Sequence, residues 1–396
     1  MADTTVYFAT NRRPNNESKP TDFTSDFTED MTSFRVGTAS VPGSQLYATD
    51  VGEVGKTLTI KVAGEKLDKD DARDAVVGSD SMFAAIRQEM LAGADALLLI
   101  HGYNYTFRDA LGRAAQIKQW LETEPPAGVR TRPLVMMAFS WPSLGEGVTP
   151  KLYELETERA RASGVSLGRA ILKATDYLRA IKRDERCTGS VHLMAHSMGN
   201  WALRGAVQAM KTFVGNNIPP IFNEVILTAA DEDHDTLSKP HKIVPLLGGC
   251  RRITVYHNAQ DVALKASDGP LGNPDRLGRS GPDRSFDLAP KVTAVNAAPA
   301  IKWERNGAPA WQEDDTGHQY YRNNPVVRRD MQAVLASEAD EDIENRSAID
   351  TGYRLEPAPG TARRRPGSKK AAPAASKAKK AKKAKKAKKA KKAKKA

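Results

Sequence analysis

Short runs of aliphatic and β-branched residues punctuate the chain, and between them apolar residues return every three or four positions. The runs predict strands over residues 5–10, 57–62, 96–101, 134–139, 190–195, 224–229 and 252–257, with a weaker one over 292–296. The three-and-four spacing predicts helices over residues 82–91, 107–122, 154–182 and 198–213. Three of the runs, LLLI, LVMMAF and VHLMA, are apolar almost throughout, as a strand covered on both faces must be. Alternating strands and helices of this kind imply an α/β domain with a mostly parallel central sheet and helices on both faces. Asn324 and Pro325 open a last helix, a capping residue ahead of a proline at the first helical position, with Val327, Met331, Val334 and Leu335 along one face. The stretches 14–50 and 266–290 are polar and rich in turn residues and read as surface loops around a site. After residue 338 apolar density falls and Pro and Gly rise. The expected organisation is therefore a domain over 1–338, a Pro/Gly/Ala-rich linker over 339–376 and a disordered Lys/Ala repeat over 377–396.

Charge divides the chain at nearly the same place. Its 60 Lys and Arg against 48 Asp and Glu give a formal net charge of +12. Eighteen of those basic residues fall in 357–396, where there is no acid, so the first 356 residues hold 42 basic and 48 acidic groups and carry −6. The repeat KAKKAKKAKKAKKAKKAKKA puts lysine on every face of any helix, which leaves no apolar stripe to bury. It resembles the lysine-alanine tails of histone-like bacterial proteins, and nucleic acid or another polyanion is its expected partner through residues 363–396. No run of about 18 apolar residues is present, so no transmembrane segment is expected. The start, MADTTVYFATNRRPNN, lacks the apolar stretch of a secretory signal, and the expected location is the cytoplasm. The two cysteines, Cys187 and Cys250, are too few for a disulfide framework and fit a reducing compartment.

The sharpest local signal is VHLMAHSMGNWALRGAVQAM, where a buried strand ends at Ala195, Ser197 occupies the turn and a helix leaves at once. Such a turn lifts a serine out of the sheet and aims the following N–H groups at the space around its Oγ. It closes only if the residues two before and two after are small. Ala195 and Gly199 meet that need, as a variant of G-x-S-x-G with alanine first. Upstream, LLLIHGYNYTFRDAL ends a strand at His101 and Gly102, so the backbone N–H groups of Tyr103 and Met198 are the expected oxyanion donors. The base must follow the last strands in the order serine, acid, histidine. That order excludes His101, His192, His196, His234, His241 and His257 and leaves His318, in DDTGHQYYRNN. The acid is Asp261, directly after a strand, or else Asp231 or Asp233 after the preceding one. No metal constellation and no nucleotide-binding pattern is present, so neither metal nor cofactor is expected.

Several motifs in one order, VYFATNR, FRVGTASVP, LLLIHGYNYTFRDALGRAAQI, AFSWPS, HLMAHSMGN, ILTAADED, HNAQDVAL and GHQYY, make the body similar to the bacterial α/β-hydrolase family known as domain of unknown function 900. The resemblance runs over roughly residues 6–335, and the lysine-rich tail falls outside it. It implies an α/β-hydrolase fold with Ser197 as nucleophile, Asp261 as acid and His318 as base, and it supplies no substrate. Only residues 230–251 separate the sixth and seventh predicted strands, which leaves no room for a helical cap. Cover for the site must then come from the polar loops or from SWPSLGEGVTPKLYELE after the fourth strand, which favours a water-accessible acyl ester. The expected activity is that of a carboxylesterase-like serine hydrolase tethered by its tail to a polyanion. The alternative is a polyanion- or DNA-binding protein that keeps a hydrolase scaffold without turnover.

Overall fold

The computed structural model describes residues 2–357, apart from 29, 31–32, 45–50, 64–77, 148, 183–184, 216, 270, 286 and 302–315; the Lys/Ala tail lies outside the described residues. Its centre is a run of parallel strands whose residues are apolar on both faces. These are β1 (Thr4–Thr10), β6 (Asp95–Ile100), β7 (Leu134–Ser140), β8 (Val191–His196), β9 (Phe222–Thr228), β10 (Cys250–His257) and β11 (Val292–Asn296). Each matches a predicted strand to within two residues at either end. Around them lie β2 (Arg12–Pro14), β3 (Phe23–Phe27), β4 (Arg35–Val41), β5 (Thr59–Val62), β12 (Arg346–Ile349) and β13 (Gly352–Leu355). The eleven-stranded sheet runs β12-β13-β11-β10-β9-β8-β6-β7-β1-β4-β5, while β2 and β3 form a separate pair. Pairings from β13 across to β1 are parallel, and β12, β4 and β5 pair antiparallel at the two margins.

The helices cover both faces. One face carries α1 (Val51–Thr57), α3 (Phe107–Leu121) and α9 (Pro325–Leu335), whose buried Val54, Leu111, Ile117, Val327 and Met331 pack in one cluster with Leu97, Leu99 and Met136 of the sheet. The other carries α4 (Pro150–Ala180) and α5 (Gly199–Val214), where Leu167, Ile171, Leu203, Val207 and Met210 meet Ile100, Leu193 and Val225. Beside α4, α2 (Gly78–Leu91) sends Phe83, Ile86 and Met90 into a third cluster. The remaining short helices are α6 (Val262–Asp268), α7 (Leu277–Ser280) and α8 (Tyr320–Asn323). Asn324 caps α9 as expected, its side chain accepting from the N–H groups of Val326 and Val327. No helix among the described residues is long and apolar enough to cross a membrane.

Two sequence expectations are corrected. Residues 14–50 are not simply loops: β4 adds antiparallel to β1, with Val36, Ala39 and Val41 buried. The domain expected to end at residue 338 runs on, because β12 and β13 extend the sheet through Leu355. Charge joins apolar surface in holding this margin, where Ile343 and Leu355 are buried in the main core cluster. The buried Arg346 of β12 pairs with both carboxylate oxygens of Asp330 on α9 at 2.7 Å and with Asp340 at 2.6 Å. A hydrophobicity pattern does not see an element anchored in that way.

The order of the central strands has a consequence for function. From β6 the chain steps to β7 on one side and then, through α4, to β8 on the other. The carboxyl end of β6 is therefore the switch point at which an open α/β sheet leaves a crevice.

Candidate active site

Ser197 sits between β8 and α5 with a φ of 51°, a left-handed backbone that is costly for a residue with a Cβ. The surroundings hold it there. Its N–H donates to Thr228 O at 3.1 Å, and its carbonyl accepts from the N–H groups of Asn200 at 3.1 Å and Asp231 at 3.2 Å and from Asn200 Nδ2 at 2.9 Å. The small residues expected on either side meet a real constraint. A Cβ on Gly199 would lie 2.5 Å from His101 O and 2.6 Å from Ile100 O, and Ala195 is fully buried. The turn also backs onto the loop after β6, where a Cβ on Gly102 would lie 2.9 Å from His196 Nδ1 and 3.0 Å from Ser197 Cβ.

His318 and Asp261 reach this serine from two other loops. His318 Nε2 is 2.9 Å from Ser197 Oγ, and its Nδ1 is 2.7 Å from Asp261 Oδ2. The loop bearing His318 is fixed by two bonds to the residues before it: Asn258 Nδ2 donates to Gly317 O at 2.8 Å and the Val262 N–H donates to Thr316 O at 2.9 Å. Asp261 divides its carboxylate between two tasks. Oδ2 meets His318, while Oδ1 accepts from the Leu264 N–H at 2.9 Å and so caps α6. A carboxylate fixed in this way has one orientation available, and it presents one oxygen to the imidazole.

The loop 101–105 is held by groups distant in sequence. Trp141 Nε1 donates to His101 O at 2.8 Å, and the two rings stack with centroids 5.1 Å apart. Arg12 is buried and gives Nη2 to Tyr105 O at 2.8 Å, Nη1 to Ser143 O at 3.0 Å and Nε to Ser140 Oγ at 3.0 Å. Glu156 of α4 accepts from the N–H groups of Asn104 and Leu144 and from Ser143 Oγ. Burial lowers the Arg12 guanidinium to about 9, with Glu156 pulling it back up. The N–H groups of Tyr103 and Met198 have no hydrogen-bond partner among the described residues. Two buried imidazoles flank the serine. Burial drives His101 down to about 3 and His196 well below the usual imidazole range, the latter also opposed by the nearby His318, Arg322 and Arg113. Neither is aligned on Ser197 Oγ.

The two alternative acids lie elsewhere. Asp231 turns into the pocket wall, where it meets Tyr153 Oη and Ser267 Oγ at 2.8 Å each. Asp233 belongs to an ionic cluster: Arg276 Nη2 and Lys242 Nζ approach it at 2.7 Å and Arg204 at 3.4 Å. Burial alone would raise its carboxyl, but those three cations hold it below the ordinary range.

Ser197 opens into a cavity of about 440 Å³ lined by Tyr103, Tyr153, Asp231, Leu264, Leu271 and His318 among others. Its walls come from the start of α4, from α6 and the loop after it, and from the loop before α8, so the expected covering segments 140–156 and 266–290 both contribute. Larger clefts exist, one of about 540 Å³ beside Arg179 and Lys291 and one of about 530 Å³ beside Asp283 and Tyr353. Among their described lining residues, neither pairs a serine or cysteine with a histidine. Among the described residues no three His, Cys, Asp or Glu side chains are grouped to hold a metal ion. Arg12, Glu156, Ser143 and Tyr153 were not singled out by the sequence; an arginine directly after the first strand and a glutamate inside a long helix carry no local signal of a site.

A family model described as alpha/beta hydrolase of unknown function (DUF900) matches residues 81–337. No curated protein and no solved structure matches the chain. The chain belongs to this alpha/beta hydrolase family.

Proposed function

We propose that this alpha/beta hydrolase is a serine hydrolase of the carboxylesterase type that cleaves acyl esters through Ser197, His318 and Asp261. The observation that carries the reading is the continuous chain from Ser197 Oγ through His318 at 2.9 Å to Asp261 at 2.7 Å, at the mouth of a pocket. In this reading His318 Nε2 takes the proton of Ser197 as Oγ attacks the acyl carbon. Asp261 fixes the tautomer with the proton on Nδ1 and stabilises the imidazolium that forms. Negative charge gathers on the former carbonyl oxygen, where the N–H groups of Tyr103 and Met198 receive it; one such donor is worth about 10²- to 10³-fold in rate. His318 then returns its proton to the leaving alcohol. A water activated by the same imidazole hydrolyses the acyl-enzyme and restores Ser197.

Ser197→Ala should lower kcat for short p-nitrophenyl esters by at least about 10³-fold and abolish labelling by a fluorophosphonate probe. Equal labelling of wild type and variant would sink the assignment.

The basic segment 363–396 is assigned a tethering role toward nucleic acid or another polyanion, resting on its eighteen cations and the absence of any acid in 357–396. If 6–10 of them engage phosphates at once, affinity for duplex DNA falls by about 10³- to 10⁵-fold between 50 and 200 mM salt. Deleting 363–396 should remove that binding and leave ester turnover intact. Unchanged DNA affinity after the deletion would show that the tether lies elsewhere.

A further inference from the structure

One wall of the Ser197 pocket holds three side chains in a closed ring of hydrogen-bond contacts. Tyr153 Oη lies 2.8 Å from Asp231 Oδ2, Ser267 Oγ lies 2.8 Å from Asp231 Oδ1, and Tyr153 Oη lies 2.8 Å from Ser267 Oγ. Three oxygen-to-oxygen contacts of hydrogen-bond length need three protons. The two hydroxyls supply two. With Asp231 ionised, both hydroxyl protons point at the carboxylate, and Tyr153 and Ser267 are left facing each other with lone pairs only. With Asp231 protonated the ring closes in either sense, for example Ser267 to Asp231 Oδ1, Tyr153 to Ser267, and Asp231 Oδ2 back to Tyr153. Asn273 Nδ2 supports the ring from outside, donating to Ser267 O at 3.1 Å and approaching Ser267 Oγ at 3.3 Å and Tyr153 Oη at 3.4 Å.

The charged groups around Asp231 do not reverse this count. Arg276 Nη1 stands 3.9 Å from Oδ1, beyond hydrogen-bond reach, and the same guanidinium is committed through Nη2 to Asp233 at 2.7 Å. His318 faces the carboxyl across the pocket with its own Nδ1 already paired to Asp261. Glu232, next in the chain, pairs with Arg204 at 2.9 Å. Asp231 is itself buried, and burial is the largest influence on its carboxyl, raising it above the ordinary range while Arg276 and the two hydroxyls pull back.

Resting on the hydrolase reading of Ser197, we propose that Asp231 is a neutral carboxylic acid and that, with Tyr153 and Ser267, it makes an uncharged polar wall that selects esters whose substituent carries no charge. The rest of the lining agrees: Ala263, Leu264, Ala266 and Leu271 offer hydrocarbon. A charged substituent would lose its water against a wall with no counter-ion, which is the expensive case. A carboxylate at the same place would instead draw in cations.

Two measurements separate these outcomes. Infrared spectra of the wild-type protein should contain a protonated-carboxyl carbonyl stretch, above the amide band and sensitive to H/D exchange, that is lost in Asp231→Asn and shifted without being lost in Tyr153→Phe. Absence of that band in wild type at neutral pH overturns the proposal, whether or not the protein turns over any ester. In turnover, 3,3-dimethylbutyl thioacetate should be preferred over its cationic isostere acetylthiocholine by at least about 10²-fold in kcat/KM, and preference for the cation overturns the proposal. If neither ester reacts and Ser197 takes no fluorophosphonate, the hydrolase reading fails and the selectivity claim with it, while the infrared band still decides the state of Asp231.

Discussion

At the scale of single residues, the candidate site is governed by what cannot be added. Gly102 and Gly199 leave room for atoms that stand where their side chains would be, and the serine turn fits against the loop after β6 only because both are bare. Gly102→Ala must push either the His196 ring or Ser197 Cβ by several tenths of an ångström. We expect a stability loss of about 1–3 kcal/mol by calorimetry, as for other overpacked sites. A loss of about 10²-fold in kcat/KM should accompany it, because the displaced loop carries the Tyr103 N–H. A fully active Gly102→Ala protein would show that the loop has more slack than these distances allow.

At the scale of elements, one side chain near the site ties several together. Tyr320 of α8 donates to Tyr256 O of β10 and accepts from the Ala229 N–H just beyond β9, both at 2.9 Å and all buried. Tyr320→Phe keeps the ring and strands both backbone groups, so a loss of about 2–4 kcal/mol in urea unfolding is expected, each unsatisfied group costing about 1–3. How legible an element was depends on what holds it. The central strands were readable because covering both faces demands uninterrupted apolar runs such as LLLI and VHLMA, and helix α9 was readable from Asn324 and Pro325. The margins were not: β3 reads FTSDF, β12 reads RSAI and β13 reads GYRL, short and half-polar because each is exposed on one side or fastened by ion pairs such as Arg346 to Asp330. The same division holds at the site. The turn at Ser197 is written in the small residues Ala195 and Gly199 on either side of it, chain order pointed to His318, and for the acid it left Asp261 beside Asp231 and Asp233 until the family resemblance favoured Asp261. Arg12 and Ser143 end two of the family-like motifs, VYFATNR and AFSWPS, but a contact that spans 131 positions is not something a local pattern can register.

At the scale of the whole molecule, buried titratable groups give stability a slope with pH. Burial holds His101 at about 3, His257 at about 4 and His196 well below the usual range, whereas each takes up a proton near 6.5 in the unfolded chain. Their contributions are therefore present above about pH 6.5 and lost as pH falls toward the folded values, at up to about 1.4 kcal/mol per unit each. Two carboxyls oppose them. Burial raises Glu232 from 4.5 to about 7 and raises Asp231 as well, so their contributions are full at low pH and are lost as pH rises. Three imidazoles outnumber the two carboxyls, so stability falls on net as pH is lowered between about 6.5 and 5. Urea midpoints measured across that interval test it, and a midpoint that rises on acidification would contradict the burial of the three imidazoles. Global unfolding is not the only opening the molecule has, and the divided carboxylate of Asp261 makes one local opening visible. Because Oδ1 closes the first turn of α6 while Oδ2 pairs with His318, a turn of the Asp261 carboxyl that releases the amide proton of Leu264 to solvent also loosens His318. The hydrogen-exchange protection of that amide is then a built-in gauge of how long the imidazole stays aimed at Ser197, readable without any substrate.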